Sequence, residues 1–369
     1  MWVLGLLHGA LRGMGGGSCH HAALPVGSSR RYVRGMSDAL DTFCLALPKV
    51  DLHVHLLGAV RQSTFAEMAA GCGIGAAEIE ALYAGEVPRA LEQRVLRDPS
   101  DLHRITYEHL QDAAAHGVRH SEISWNPTGT QHLFPYARGA DAILAGFADA
   151  ATDFGVSALL IPAIDREDTP EAATQLAGWM LGHRRDAIVG LGIDYRETDR
   201  PPELFWKAWR MAKGAGFRLT AQAGESGCHP RNIETAIELL EVERIDHGYT
   251  VLEDPALTAR CAERGILFTV VPSNPDYQAL DHPIRRMPAA GLLIHPGTDA
   301  PALYQVTPTR CWRMMVEDFG FGIVDLRDFM LNGIRGSFLP EPSRRHLEAA
   351  FSAEFDALAA ECFPEGVIA

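Results

Sequence analysis

The sequence contains no CxxC pair, no cysteine spacing that resembles a disulfide framework, no internal repeat and no low-complexity tract. Its seven cysteines (Cys19, Cys44, Cys72, Cys228, Cys261, Cys311 and Cys362) are odd in number and scattered. That argues against a disulfide-stapled secreted domain and makes a reducing cytoplasm the expected location. No apolar run has the length needed to span a bilayer. The opening "MWVLGLLHGA" is apolar but has no basic residue ahead of it, so it lacks the layout of a signal peptide. The Gly- and Ser-containing stretch that follows predicts a disordered tail over residues 1–36, leaving one domain over 37–369. Basic residues are also short: 33 Lys and Arg stand against 47 Asp and Glu, for a formal charge of −14. Such a surface repels polyanions, which excludes nucleic acid and anionic membranes as expected partners and favours a small-molecule substrate.

What is present is regular. With 47% hydrophobic residues, the chain can bury a large core, and 369 residues suit a single α/β barrel with insertions. From about residue 47, eight short β-branched runs alternate with longer segments of helical period: "LPKVDLHVHL", "VRHSEISWNP", "VSALLIPAI", "IVGLGIDY", "FRLTAQAGE", "RIDHGY", "ILFTVVPSN" and "GLLIHPGTDA". Eightfold strand–helix alternation predicts a (β/α)8 TIM barrel of the α/β class. The segment from Arg61 to Gly117 is too long for one crossover, so extra helices are expected between strands 1 and 2. The chain after the eighth run reads as a helical C-terminal end.

Catalytic groups in such barrels sit at the C-terminal ends of strands. His53 and His55 end the first run, Glu225 the fifth, His247 the sixth and Asp299 the eighth. In a strand, positions i and i+2 share a face, so His53 and His55 both point into the barrel, a pairing suited to a divalent metal. Asp299 lies on the strand that neighbours the first when the barrel closes, where a carboxylate can complete the ligand set. Glu225 and His247 supply a carboxylic acid and an imidazole facing a metal-bound water, the parts needed for hydrolysis.

Together, "LPKVDLHVHLLGAV", "QAGES", "ERIDHGYTVLEDPAL", "VPSNPDY" and "GTDAP" resemble the adenosine deaminase family of the amidohydrolase superfamily, from about Leu47 to the eighth strand. The resemblance implies a barrel holding one zinc through an HxH pair, a strand-five histidine and a strand-eight aspartate. Carried over by position, His53, His55 and Asp299 are metal ligands, Glu225 donates a proton to the ring, and His247 orients or deprotonates the attacking water. The implied reaction is hydrolytic deamination of an amino-bearing purine or related heterocycle, with release of ammonia.

Three positions depart from that pattern. Gln222 occupies the first position of the family's HAGE, where a histidine ligates zinc; an amide oxygen is a weaker, harder donor. The outcomes weighed are Gln222 as ligand or outer support, recruitment of His247 as a ligand, and loss of the metal. Ala300 replaces the second aspartate of TDD, which meets the purine's imidazole-ring nitrogen. Leu57 replaces a polar residue that meets a sugar hydroxyl or tunes substrate choice. "DYRETDR" brings Arg196 and Glu197 to the mouth, where Glu197 is assigned to the substrate, as is Gly224 of the QAGES motif. Trp125 and Tyr277 are candidates to stack on a ring. These changes shift the expected specificity away from adenosine. The alternatives are cleavage of another C–N bond in a small cyclic substrate, or a catalytically silent ligand-binding relative.

Overall fold

The computed structural model describes residues 37–85 and 94–364. Eight parallel strands follow the chain in order: β1 (Lys49–His55), β2 (Val118–Trp125), β3 (Ser157–Asp165), β4 (Gly190–Asp194), β5 (Arg218–Ala223), β6 (Arg244–His247), β7 (Leu267–Val270) and β8 (Leu293–Pro296). All eight predicted runs form strands, and the fold is the expected (β/α)8 barrel. The barrel closes just beyond β8. Asp299 N donates to His53 O at 2.7 Å, His55 N donates to Asp299 O at 2.8 Å, and Val54 and Asp299 form a parallel bridge.

Helix starts follow local capping chemistry. Asp98 accepts from Ser100 N ahead of Pro99–Ala115, Thr169 from Ala172 N ahead of Pro170–Gly182, and Thr307 from Arg310 N ahead of Pro308–Glu317, each with proline in the first turn. Between β1 and β2 lie helices Gln62–Ala69, Ala76–Tyr83 and Pro99–Ala115, so the extra helices expected there are present. Helices Ile323–Gly336 and Glu341–Cys362 form the helical C-terminal end. No helix among the described residues is long and apolar enough to cross a membrane. The chain divides into Met1–Asp38 and Ala39–Ala369, and the barrel lies in the second unit. The tail expected over residues 1–36 lies outside the described residues.

Inside the barrel, the polar residues form linked networks. Arg244 and Glu122, both almost fully buried, pair at 2.6 Å, and Arg244 also donates to Leu52 O at 3.2 Å. Asp246, above Arg244 on β6, accepts from Thr220 Oγ1 at 2.9 Å and Thr269 Oγ1 at 2.5 Å. Burial pushes the Asp246 carboxyl up, but His53, Arg244 and these hydroxyls outweigh it and hold it below the usual range.

Candidate metal and catalytic site

On β1 the inward column runs Lys49, Asp51, His53, His55, and the last two reach the C-terminal mouth. His53 Nδ1 lies 3.4 Å from Thr269 O and 3.3 Å from Thr269 Oγ1. The Thr269 hydroxyl is already donating to Asp246, so it presents a lone pair and His53 Nδ1 carries the proton. His53 Nε2 is thereby left as an acceptor. The His55 ring spans two carboxylates: Nδ1 is 3.1 Å from Asp194 Oδ2, and Nε2 is 3.2 Å from Asp299 Oδ1. When a neutral His55 donates through Nδ1 to Asp194, its Nε2 and Asp299 face each other as acceptors. A cation shared between them resolves that contact, in the carboxylate–histidine–metal arrangement.

His247 and Asp299 complete the centre through unusual backbone. Strand alternation from Arg244 and Asp246 would send the His247 side chain outward. His247 instead has φ +65°, and Asp299 has φ +60°. Left-handed backbone at a non-glycine residue costs roughly 1 kcal/mol or more and clusters at functional sites. The turn places His247 Nε2 3.5 Å from Glu225 Oε1 and 3.9 Å from Asp299 Oδ2. His247 Nδ1 faces the Tyr249 hydroxyl at 3.4 Å, and the imidazole is fully buried, with its ring 4.7 Å from that of His53. Burial, reinforced by His53, holds its pKa well below the ordinary histidine value. Ligand atoms of His53, His247 and Asp299 all lie within 4.8 Å of one another, a spacing that fits one metal ion.

Gln222 lies beside this group. Its Nε2 donates to Glu225 Oε2 at 2.5 Å, which fixes the orientation of the amide, and its buried Oε1 accepts no hydrogen bond among the described residues. A buried acceptor without a donor costs about 1–3 kcal/mol, and a cation would satisfy it. The residues present therefore fit a divalent metal. Asn274 Nδ2 donates to the other oxygen of Glu225 at 2.9 Å, so both carboxylate oxygens are held.

A cavity of about 540 Å³ opens over these groups and is lined by His55, Gln222, Glu225 and Asp299 among others. Leu57 and Trp125 line it, although Trp125 is almost wholly buried and stacks on Tyr136, with centroids 5.7 Å apart. Other assignments change. Glu197 borders the cavity, but its carboxylate is already committed to protein donors: Gly224 N at 2.9 Å, Glu225 N at 3.2 Å and Asn232 Nδ2 at 2.7 Å. Gly224 is not on the cavity wall. It has φ +71°, and a Cβ there would come within 2.4 Å of Ile233, so glycine is needed for the turn. Ala300 is fully buried against Gly58, whose own Cβ would come within 2.6 Å of the Ala300 Cβ. Tyr277 packs against Tyr249 and His282 and does not line the cavity.

The structure adds residues that the motifs did not single out. Asp194 holds His55 and is held by Asn126 Nδ2 at 2.5 Å; the strand-end rule applied to "GLGID" points to it. Arg166 is fully buried and donates to Gln222 O, with burial lowering its pKa. Asp165 ends β3 and lines the cavity.

Comparisons with known proteins agree with this geometry. Residues 88–353 match the adenosine deaminase family model. An adenine deaminase of Cupriavidus metallidurans is 32% identical over 328 residues, covering 84% of this chain and 90% of that protein. An amidohydrolase from Burkholderia ambifaria, solved with bound zinc, is 51% identical with a TM-score of 0.85, covering 88% of this chain and 94% of that one. The adenine deaminase of Arthrobacter aurescens is 28% identical with a TM-score of 0.78, covering 84% and 99%. With its barrel, its strand-end constellation and a family match over most of its length, the chain belongs to the adenosine deaminase family.

Proposed function

We propose that this chain is a metal-dependent hydrolytic deaminase of small amino-bearing heterocycles, with purine bases as the reference substrates. The observation that carries the reading is the meeting of Glu225 and His247 at 3.5 Å beside Asp299, which lies 3.2 Å from His55 Nε2 and shares with His53 and His247 a set of ligand atoms within 4.8 Å of one another. His53, His55 and Asp299 would hold zinc, with the unpartnered Oε1 of Gln222 as a further donor. Bound there, zinc would lower the pKa of a water. His247, kept neutral by burial, offers Nε2 to hold and accept a proton from the attacking water. Glu225, oriented by Gln222 and Asn274, passes a proton to the ring nitrogen beside the reacting carbon. Leu57 and Trp125, with Leu82 and Leu303, give the cavity an apolar wall for a flat ring and limit the access of bulk water.

The adenine deaminases of Cupriavidus metallidurans and Rhodospirillum rubrum, to which the chain is similar, take their names from a free base. The cavity charge favours such a substrate over a nucleotide: Asp165, Glu167, Glu225, Asp276 and Asp299 line it, against Arg196 as its one arginine or lysine among the described residues. A phosphate would enter against that field. The test is ammonia release by zinc-loaded protein from adenine, other aminopurines, pterins and aminopyrimidines. Ammonia from at least one ring, lost in a Glu225→Gln variant of unchanged melting temperature, is the expected result. Cleavage of a cyclic amide without ammonia, or full activity in Glu225→Gln, would overturn the reading.

A further inference from the structure

Several acidic groups lie at or behind the cavity wall between β2 and β4, and most are already engaged. Asp194 is held between Asn126 and His55, and Glu197 is bound by backbone amides and Asn232. Glu167 lies at the exposed rim, 3.5 Å from Arg196. Asp165 differs. Its Oδ1 accepts Glu167 N at 2.8 Å, while its Oδ2 accepts no hydrogen bond among the described residues. The side chain is partly buried at the end of β3, where it borders the same cavity as Glu225 and Asp299. In the strand register Asp165 faces Asp194 on β4, another carboxylate, so no cation offsets it there.

We infer that Asp165 is a specificity-determining residue, accepting through Oδ2 the imidazole-ring N–H of a free purine-type base and thereby selecting the base over its N9-substituted forms. This rests on the deaminase reading of the site. The geometry leads there in three steps. The reacting carbon must lie beside Glu225 and Asp299, on the β5 and β8 sides of the mouth. A two-ring base then extends its second ring toward β2–β4, where Asp165 offers a carboxylate oxygen that no group among the described residues takes up. Only the unsubstituted base has an N–H on that ring; a glycosylated or alkylated ring has carbon in its place, and its substituent meets the apolar Leu57 and Leu303. Burial pushes the Asp165 carboxyl up to about 6 despite the amide of Glu167, as suits a carboxyl whose second oxygen has no donor among the described residues and gains from one on a ligand. The apolar Leu57 on the cavity wall fits the same picture: a sugar finds no donor or acceptor from it, whereas the ring finds one at Asp165.

The test is calorimetric binding of hypoxanthine and 9-methylhypoxanthine to the zinc-loaded full-length protein, its Asp165→Leu variant and its Asp165→Asn variant. Leucine keeps the volume and removes the acceptor. Asparagine keeps a neutral acceptor, and melting curves verify folding of both variants. The expected result is wild-type preference for hypoxanthine by on the order of 10- to 100-fold, the range of a hydrogen bond to a charged acceptor. The preference should fall to within about twofold in Asp165→Leu and take an intermediate value in Asp165→Asn, with 9-methylhypoxanthine affinity little changed. Equal wild-type affinity for the two ligands, or a preference that survives in Asp165→Leu, would overturn the role of Asp165 even when adenine yields ammonia. No binding of either ligand, together with no ammonia from any purine, would instead overturn the purine-deaminase reading on which the inference stands.

Discussion

Replacing Glu197 tests whether the loop carrying Glu225 is clamped from below. Three protein donors converge on this one buried carboxylate: the amides of Gly224 and Glu225 and the side chain of Asn232. Beside it, the fully buried Arg166 donates to Gln222 O, so both flanks of the QAGES turn are tied to an oppositely charged pair. A hydrogen bond to a charged acceptor contributes roughly 1.5–3 kcal/mol net, and removing the acceptor leaves its buried donors unpaired. Because the three donors share one partner, their losses are not additive. Glu197→Ala should cost on the order of 4 kcal/mol, including the loss of the anion that most offsets the buried Arg166 charge. Glu197→Gln retains one acceptor oxygen but turns an NH2 toward a backbone N–H, and should cost about half as much. Equilibrium urea unfolding measures this as a fall in midpoint at unchanged slope. Turnover should fall as well, because Glu225 N is one of the freed amides. A loss below about 1 kcal/mol in Glu197→Ala, within the range of ordinary surface changes, would refute the clamp and return Glu197 to the substrate.

Two further outcomes follow from buried groups. Gln222→His should raise zinc affinity by on the order of 10- to 100-fold in chelator competition, the scale on which groups around a zinc alter its binding; Gln222→Leu should lower it, and equal affinity in all three proteins would remove Gln222 from the metal site. His109 is fully buried, and burial lowers its pKa from 6.5 to about 4. Between those values the unfolded chain binds a proton that the folded protein refuses, so the His109 contribution is complete above pH 6.5 and is lost as pH falls through about 4. Relative to His109→Leu, the wild type should lose on the order of 3 kcal/mol between pH 7 and pH 4, and parallel unfolding curves for the two proteins would contradict this.

Much of the site was legible because strand ends in a parallel barrel are marked twice, by hydrophobic period and by the polar residue that interrupts it. That rule points to His53, His55, Glu225 and Asp299, which the structure brings to one end of the barrel, and it extends to Asp194 and Asp165. For Glu197 the sequence offers no view of its partners, since nothing in "DYRETDR" reveals that the amides of a turn twenty-seven residues later converge on its carboxylate. Position within a motif points Gly224 and Ala300 toward the substrate. The structure assigns them to a left-handed turn and to packing against Gly58.

The sequence by itself determined the barrel, its eight strands, the helical insertion before β2 and the residue types at the mouth, because these follow from local periodicity and from chain lengths between turns. Tertiary structure alone decided which polar atoms meet. His247 faces the centre because a left-handed backbone reverses the strand alternation, and His53 presents Nε2 because Thr269, more than two hundred residues away in sequence, is already donating to Asp246. Gln222 turns its amide nitrogen to Glu225 and leaves its oxygen unpartnered. Such choices depend on hydrogen-bond partners and backbone angles fixed only when distant strands close into a barrel. The residue types allow them without specifying them.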